Sequence, residues 1–314
     1  MRVLVVGATG AIGGRLVRQL REHGHEVAGS SRSASRAGRL RELGAEPIVL
    51  DVLDPAATQR VVAEVGPDAI IYQATALAGS GFSRRLDTTF ALTNRLRTEG
   101  TDHLLAAARA AGVSRFVAQS FAPYRYAHQG GPVKTEDDPL LSDPPAGARA
   151  TFGAMTHLDD AVTRAGGIAL RYGGFYGDPD QLVDAVRKRR YPVVGDGAGM
   201  MSFVHLDDAA AAAVLALDHD GPAIYNVTDD EPAATRDWLP ALAAAVGARP
   251  PRHVPAWLGR LIMGAGLDMM TSARGASNAR AKQELGWTLR YPSWRQGFPA
   301  SYATRDEAMT RAAS

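Results

Sequence analysis

The chain has 314 residues, a formal net charge of +2 and no cysteine, which allows one large α/β domain or a nucleotide domain with a smaller lobe. Without cysteine there are no disulfides, thiolate metal sites or cysteine nucleophiles, and the scattered histidines and basic residues indicate neither a zinc cluster nor a nucleic-acid surface. No apolar run is long enough to cross a bilayer, and a first strand that begins at once leaves no room for a signal peptide, so we expect a cytoplasmic protein.

The chain opens with the pattern of a phosphate-binding βα unit. Positions 3–6 are apolar and predict a buried strand, and apolar residues recur at helical spacing over 12–20. Between them, Gly7 allows a tight turn, Gly10 lets the backbone approach a pyrophosphate, and Gly13 lets helix and strand pack closely. We therefore predict a dinucleotide site at this turn. The other residues predicted to line the turn are Thr9, Ala11 and Ile12.

Strands then alternate with helices up to about residue 177, which predicts a doubly wound parallel sheet, an α/β Rossmann fold. The further predicted strands are 26–29, 47–50, 69–72, 115–119 and 168–171, and the predicted helices are 55–65, 91–111 and 152–164. Asp54 is the predicted N-cap of the first of these helices. Ligands of such sheets bind beyond the carboxyl ends of the strands. The residues expected around that crevice are Gly7, Ser30, Asp51, Ala74, Ser120 and Tyr172.

The pattern changes after residue 177, which predicts two parts. Residues 1–177 form the predicted NADP-binding Rossmann domain, to which a later segment at about 200–228 returns, and 178–314 form mainly a smaller C-terminal substrate-binding lobe. Within the later part, Asp207 and Thr235 are the predicted caps of helices that run to about residues 218 and 246. A further strand is predicted over 224–227.

The end of the second strand favours NADP(H) over NAD(H). An acidic residue about twenty positions after the glycine turn would bind the ribose hydroxyls of NAD. Here the chain has Ser31 and Arg32, with Arg36 close behind, and these side chains suit a 2′-phosphate. Asp51 and Val52 are expected at the adenine edge. The remaining predicted cofactor contacts are Ala74, Thr75, Tyr172 and Gly173.

A series of short motifs follows in a fixed order. They are Asp51-Val52, Ser120 after 115–117, 170–172 with Tyr176-Gly177, 203–208, 225–227, 285–287 and Tyr291-Pro292. With the glycine spacing, they resemble the extended, epimerase-like branch of the short-chain dehydrogenase/reductase superfamily, over residues 1 to about 300. The resemblance implies a nicotinamide cofactor and a homodimer built on the long helices near 91–111 and 151–164. The motifs specify this branch but no substrate.

The chain departs from this family at the catalytic residues. The family's Tyr-x-x-x-Lys pair lies on the helix before the sixth strand, and no such pair occurs in this sequence. Two registers are open, Phe152 with Thr156 or Thr151 with Met155, and neither supplies a phenol or an ammonium group. The resemblance leaves Ser120 alone of the usual triad. We expect Phe152 to pack against nicotinamide or substrate, or to belong to the core.

Reduction of a ketone also requires a proton for the new alkoxide. Three sources are open: water, an acidic hydroxyl of the substrate beside its carbonyl, or a displaced protein acid. A neighbouring substrate phenol needs no protein catalyst, because it is already positioned. Ser120 would hold the oxygen and donate a hydrogen bond to the developing charge. The candidate displaced acids are Tyr124 and Tyr126, together with His128, Tyr172 and Tyr176.

These patterns lead to the hypothesis of a cytoplasmic NADPH-dependent ketoreductase that acts on a hydroxylated aromatic, polyketide-type metabolite in antibiotic biosynthesis. In this respect the chain resembles the triad-less ketoreductases of angucyclinone-type polyketide tailoring. Two alternatives stay open, a nucleotide-sugar epimerase or dehydratase and a non-catalytic NADP-sensing regulator. The partner is a small molecule, and neither a metal nor a nucleic acid nor a membrane is expected. The segment 122–148 is long enough to form a lid over the pocket.

Overall fold

A seven-stranded parallel sheet with helices on both faces forms the centre of the computed structural model, which describes residues 1–77, 85–178, 181–263 and 265–303. The end of the predicted C-terminal lobe, 304–314, lies outside the described residues. The strands in chain order are β1 Arg2–Val6, β2 Glu26–Ser31, β3 Glu46–Val49, β4 Ala69–Tyr72, β5 Arg115–Phe121, β6 Val133–Lys134, β7 Ile168–Tyr172, β8 Gly174–Tyr176, β9 Val193–Val194, β10 Met200–Met201, β11 Phe203–His205, β12 Ala223–Val227, β13 Ala233–Ala234, β14 His253–Val254 and β15 Gly275–Ala276.

The sheet has the strand order β12-β7-β5-β4-β1-β2-β3, and each neighbouring pair is parallel. The helices are α1 Gly13–Glu22, α2 Ala37–Glu42, α3 Pro55–Val65, α4 Leu86–Thr89, α5 Ala91–Arg95, α6 Thr101–Ala110, α7 Arg149–Arg164, α8 Gln181–Arg187, α9 Leu206–Leu215, α10 Thr235–Ala245, α11 Ala256–Met263, α12 Ala265–Thr271, α13 Ala279–Leu285 and α14 Trp294–Tyr302. This architecture confirms the predicted doubly wound Rossmann fold. No helix in the described ranges is long and apolar enough to span a membrane.

Alternating side chains of the buried strands build the two halves of the core. On one face of β1, Val3 and Val5 pack with the apolar stripes of α1 and α9. On the other face, Leu4 and Val6 pack with apolar side chains of α3, α6 and α7. This period of two explains why continuous apolar runs form central strands here, because both faces of the sheet are covered.

The predicted helix over 91–111 is interrupted by a π-turn. Between α5 and α6 the five residues Leu96–Gly100 form a π-turn, in which Thr101 N donates to the carbonyl of Leu96. The hydroxyl of Tyr72, at the end of β4, donates to the same carbonyl at 2.6 Å. Gly100 is required at this point, since a Cβ there would lie 2.6 Å from the Tyr72 hydroxyl oxygen.

Of the three predicted N-cap residues, one is confirmed and two are wrong. Asp54 is the N-cap of α3, and its side chain accepts from Ala57 N at 3.0 Å. The prediction for Asp207 is wrong, because the ring of His205 accepts from Asp207 N at 3.1 Å and caps α9. The prediction for Thr235 is also wrong, since it is the first residue of α10 and its hydroxyl donates to the carbonyl of Gly199 at 3.0 Å.

A separate aromatic core lies beyond the sheet in the later part of the chain. Phe203, Trp238, Trp294 and Phe298 pack on one another through tilted and edge-to-face contacts. After Phe203, which lies in β11, the chain returns to the main sheet, where β12 pairs with β7. The fold thereby brings residues of the later part of the chain against the carboxyl ends of β5 and β7.

Candidate active site

The glycine turn after β1 has the shape that a bound pyrophosphate requires. Gly7 has a φ of +92°, and a Cβ on it would lie 2.8 Å from the backbone nitrogen of Ala74. A Cβ on Gly13 would lie 2.5 Å from the backbone carbonyl atoms of Ala8, so only glycine lets α1 start this close to β1. The backbone is therefore open for close approach of phosphates to the start of α1, and these residues fit a dinucleotide.

Beside this turn, the end of β2 carries the residues predicted to select the cofactor. Ser31 is buried, whereas Arg32 and Arg36 are exposed. Arg36 Nη1 donates to Thr9 Oγ1 at 3.2 Å, which holds a guanidinium group beside the glycine turn. No acidic side chain stands in this position on the strand.

The predicted adenine-edge residues follow β3. The carboxylate of Asp51 is exposed and accepts from Leu53 N at 3.0 Å, which shapes the loop. Val52 is buried, and its carbonyl is hydrogen-bonded to the His103 ring at 2.9 Å. These two residues flank the same edge of the sheet as the glycine turn.

The remaining residues predicted to contact the cofactor follow β4 and β7. Ala74 and Thr75 are half-buried beside Gly7. Tyr172 is fully buried, and its hydroxyl accepts from Gln73 Nε2 at 3.3 Å, so its ring belongs to the core. Gly173 is glycine for steric reasons, because a Cβ there would lie 2.7 Å from the carbonyl of Ser202.

The two registers proposed for the missing tyrosine and lysine lie on α7. Phe152 and Met155 are buried in a small cluster with the half-buried rings of Phe121 and Tyr124. The hydroxyl of Thr151 is paired with Asp87, which caps the start of α7. Neither register supplies a phenol or an ammonium group.

A guanidinium group from another part of the chain reaches Thr156, which is the position of the missing lysine in the first of these registers. Arg125, four residues beyond β5, donates from Nη2 to Thr156 Oγ1 at 3.3 Å. Its Nη1 donates to Ser120 Oγ at 3.2 Å and to Asp159 Oδ2 at 2.7 Å. The Arg125 side chain is only 1% exposed. A cation therefore remains beside Ser120, although its residue type and origin differ from those of the family.

Asp159 on α7 is the centre of this network. Its Oδ2 also accepts from Arg171 Nε at 2.8 Å, so one buried carboxylate joins two guanidinium groups. Burial alone would raise the pKa of Asp159, but Arg125 and Arg171 together with hydrogen bonds lower it below its usual value. The carboxylate is thus ionised at neutral pH.

Two of the three hydroxyls predicted to be catalytic, those of Ser120 and Tyr126, are hydrogen-bonded to arginines of this network. The Ser120 hydroxyl is buried and accepts from Arg125 Nη1. The Tyr126 hydroxyl donates to Asn226 Oδ1 at 2.6 Å and accepts from Arg171 Nη1 at 3.2 Å. Burial raises the pKa of Tyr126. In this arrangement the hydrogen of the Tyr126 hydroxyl is used within the protein, on Asn226.

Tyr124 differs from these two residues. Its backbone has a φ of +66°, which is unusual for a non-glycine residue and occurs where the surrounding structure fixes the chain. Its ring packs on the cluster around Phe152. Burial raises the pKa of Tyr124, which keeps the phenol protonated. It is the predicted hydroxyl that lies outside the Asp159 network.

The predicted lid segment, 122–148, is fastened at several points. Tyr126 and Leu140 form a β-bridge, and β6 within the segment pairs with β15. The Glu136 side chain accepts from Asn226 N at 2.6 Å. These contacts hold the segment over the carboxyl ends of β5 and β7.

Arg125 and Asp159 were not found by sequence reasoning, although one signal was present. Arg171 interrupts the apolar strand β7 with a charge, and a buried charge requires a partner of opposite sign. That partner had to come from the helix or loop packed on the strand. Nothing in the sequence around Arg125, a loop rich in tyrosine and proline, distinguishes it from a surface arginine.

Replacement of Arg125 by methionine should lower the free energy of unfolding by about 3 kcal/mol, because Asp159 loses one of its two buried counter-charges. The matched control is Arg95→Met, which removes an exposed arginine paired with Glu99 and should cost no more than about 0.5 kcal/mol. Urea denaturation followed by circular dichroism measures both values. Equal stabilities of the two variants would contradict a structural role of the network.

Comparison with known proteins gives the family. A model of the NAD dependent epimerase/dehydratase family matches residues 3–228. The chain is 44% identical over 310 residues to the 3-diazoavenalumate denitrifying reductase of a Streptomyces species, covering 95% of this chain and 99% of that protein. It is 30% identical over 262 residues to the 4-hydroxy-2-methyl-3-oxo-4-farnesyl-3,4-dihydroquinoline-1-oxide ketoreductase of Stigmatella aurantiaca, covering 79% and 74%.

A solved structure agrees with this result. The UDP-glucose 4-epimerase of Thermus thermophilus, in complex with NAD, aligns with a TM-score of 0.69 at 25% identity and covers 96% of this chain and 98% of that chain. The nucleotide turn is kept here, the family's tyrosine and lysine are absent, and the similar curated proteins named above are reductases. The chain therefore belongs to the NAD-dependent epimerase/dehydratase family and is an oxidoreductase within it.

Proposed function

We propose that this protein is an NADPH-dependent reductase that replaces the diazonium group of an aromatic acid by hydrogen and releases N2. The observation that carries the proposal is an intact dinucleotide turn beside a site without a proton-donating pair. Phe152 and Thr156, or Thr151 and Met155 in the other register, stand where the family has tyrosine and lysine. The cation beside them belongs to Arg125, and a guanidinium group does not release a proton at physiological pH.

Reduction of a diazonium carbon does not require a proton. Bound NADPH supplies a hydride. The carbon gains this hydride as a new C–H bond, and the electron pair of the breaking C–N bond leaves with N2, so the charges of cation and hydride cancel. A ketone instead gives an alkoxide, for which general acid catalysis contributes about two to four orders of magnitude. Loss of the tyrosine–lysine pair therefore slows ketone reduction and leaves denitrifying reduction unaffected.

Two further observations support this substrate class. The Streptomyces reductase, which is similar over nearly its whole length, acts by its name on a diazo carboxylate with loss of nitrogen. The wall formed by the cluster around Phe152 combines aromatic and thioether side chains with alanine and leucine, and such an apolar wall suits a flat aromatic ring. Met269, on α12, belongs to this wall, so we propose that the part of the chain after residue 177 supplies the substrate-binding side.

The second candidate is reduction of a ketone on a hydroxylated aromatic, polyketide-type metabolite in antibiotic biosynthesis. Tyr124 favours it, because this phenol lies against the Phe152 cluster and outside the Asp159 network. The Stigmatella ketoreductase acts by its name on a 3-oxo-dihydroquinoline oxide. In this reaction the proton would come from Tyr124 or from a phenol of the substrate.

Turnover with two substrate types separates these candidates. With NADPH, the protein should release one N2 for each NADPH oxidised from an arenediazonium carboxylate, faster than NADPH alone. Headspace mass spectrometry with a ¹⁵N-labelled diazonium group and loss of the reduced nicotinamide absorbance measure the two amounts. Tyr124→Phe should leave this rate unchanged, since no protein proton is used.

Other outcomes lead to different conclusions. Oxidation of NADPH only with hydroxylated aromatic ketones would replace the first candidate by the second. A rate reduced by a factor of about 10²–10⁴ in Tyr124→Phe would then identify Tyr124 as the proton donor, and an unchanged rate would leave a phenol of the substrate as the donor. If neither substrate type oxidises NADPH while the cofactor still binds, both candidates are wrong.

The arginines after β2 should make the protein prefer NADPH to NADH. Loss of both charge-assisted contacts to a 2′-phosphate in Arg32→Ala/Arg36→Ala should raise KM for NADPH by roughly 10–100-fold. KM for NADH should not change, because NADH has no phosphate at that place. Arg41→Ala, an exposed arginine on α2, is the matched control. Equal effects of the double variant on both cofactors would contradict NADPH selection by these residues.

A further inference from the structure

One buried cation near the Asp159 network lacks a carboxylate of its own within the described part of the chain. Arg97 lies in the π-turn between α5 and α6, and its side chain is only 6% exposed. Its Nε atom has no hydrogen-bond partner among the residues that the structure describes. A buried guanidinium group without a counter-charge costs several kcal/mol, so a protein rarely retains one without a use for it.

The neighbouring charges increase this cost. Arg97 lies near Arg125 and Asp159, and the Asp159 carboxylate already serves Arg125 and Arg171. Burial and the nearby Arg125 lower the pKa of Arg97 to about 10, which leaves it protonated at neutral pH.

The carboxylate of Glu136 does not neutralise the additional positive charge of these arginines. Glu136 influences Arg171, but it accepts from the backbone of Asn226 and lies within 4.0 Å of Arg280. Three guanidinium groups therefore share the field of one carboxylate, whose Oδ2 is bound by Arg125 and Arg171 and whose Oδ1 has no hydrogen-bond partner among the described residues. The surplus positive charge belongs to Arg97.

The backbone around Arg97 departs from a regular α-helix. A π-turn inserts one residue into a helix and changes which side chains face the neighbouring element, and such turns are frequent at functional sites. Here the inserted turn packs against α7, which carries Phe152, Thr156 and Asp159. The hydroxyl of Tyr72 and the absence of a side chain at Gly100 stabilise the turn.

We propose that Arg97 binds an oxyanion of the substrate, the carboxylate of the aromatic acid. This assignment rests on the proposed function, because it names the group by which that substrate is recognised. A guanidinium group donates two parallel hydrogen bonds to a carboxylate, and the bound anion neutralises the surplus charge. The aromatic ring of the acid then lies along the cluster around Phe152.

Binding of an unreactive acid tests this proposal without turnover. Isothermal titration of the NADP⁺-loaded protein with 4-hydroxycinnamate and with its methyl ester measures the two Kd values. Wild-type protein should bind the acid at least about tenfold more tightly than the ester. Arg97→Gln should weaken binding of the acid by roughly 30-fold or more and leave binding of the ester unchanged.

Two variants serve as controls. Arg97→Lys keeps the charge but loses the paired hydrogen bonds, so it should recover part of the affinity for the acid. Arg95→Gln changes an exposed arginine two positions away on the same helical segment and should bind acid and ester like the wild type.

Several results would overturn the proposal. One is equal weakening of acid and ester in Arg97→Gln, and another is a loss of NADP⁺ affinity in that variant. If Arg97→Gln does not fold, equal wild-type affinities for acid and ester would contradict the anion site by themselves. Absence of diazonium turnover combined with acid binding that depends on Arg97 would reject the proposed reaction and retain the anion site.

Discussion

The buried carboxylate of Asp159 is the interaction on which the arrangement of the site depends. It joins α7 to β7 through Arg171 and to the segment after β5 through Arg125, at distances of 2.7–2.8 Å. Removal of one partner would leave a charge unpaired away from water, which is strongly destabilising. The three elements are therefore held in one arrangement at the edge of the sheet where the family's catalytic pair normally lies.

This constraint explains what the site keeps and what it lacks. The turn at Gly7 and Gly13 is shaped for a dinucleotide, so the capacity to bind a hydride donor is retained. The Ser120 hydroxyl accepts from Arg125 in the ion network, and neither register on α7 supplies a phenol. A reaction that takes only a hydride fits such a site better than a reaction that also takes a proton. The anion site proposed at Arg97 would add a preference for an acidic substrate.

The sheet could be predicted from sequence because its buried strands are continuous apolar runs that end in glycine or polar residues, as at 69–72. The cap of α3 was predictable because Asp54 and Pro55 act locally. The cap of α9 was not, since His205 is an unusual capping residue and two aspartates follow it. The network around Asp159 depends on contacts 12 and 34 residues apart, which no local pattern reveals. Arg171 inside a buried strand was the one visible trace of it.

The most direct test of the central claim is the deuterium content of the product formed in D2O with unlabelled NADPH. If the carbon that held the diazonium group receives only a hydride, mass spectrometry will find no deuterium at that position. Deuterium at that carbon would mean that a solvent-exchangeable proton enters the reaction. The site would then contain a proton donor, and the proposed denitrifying hydride transfer would be wrong.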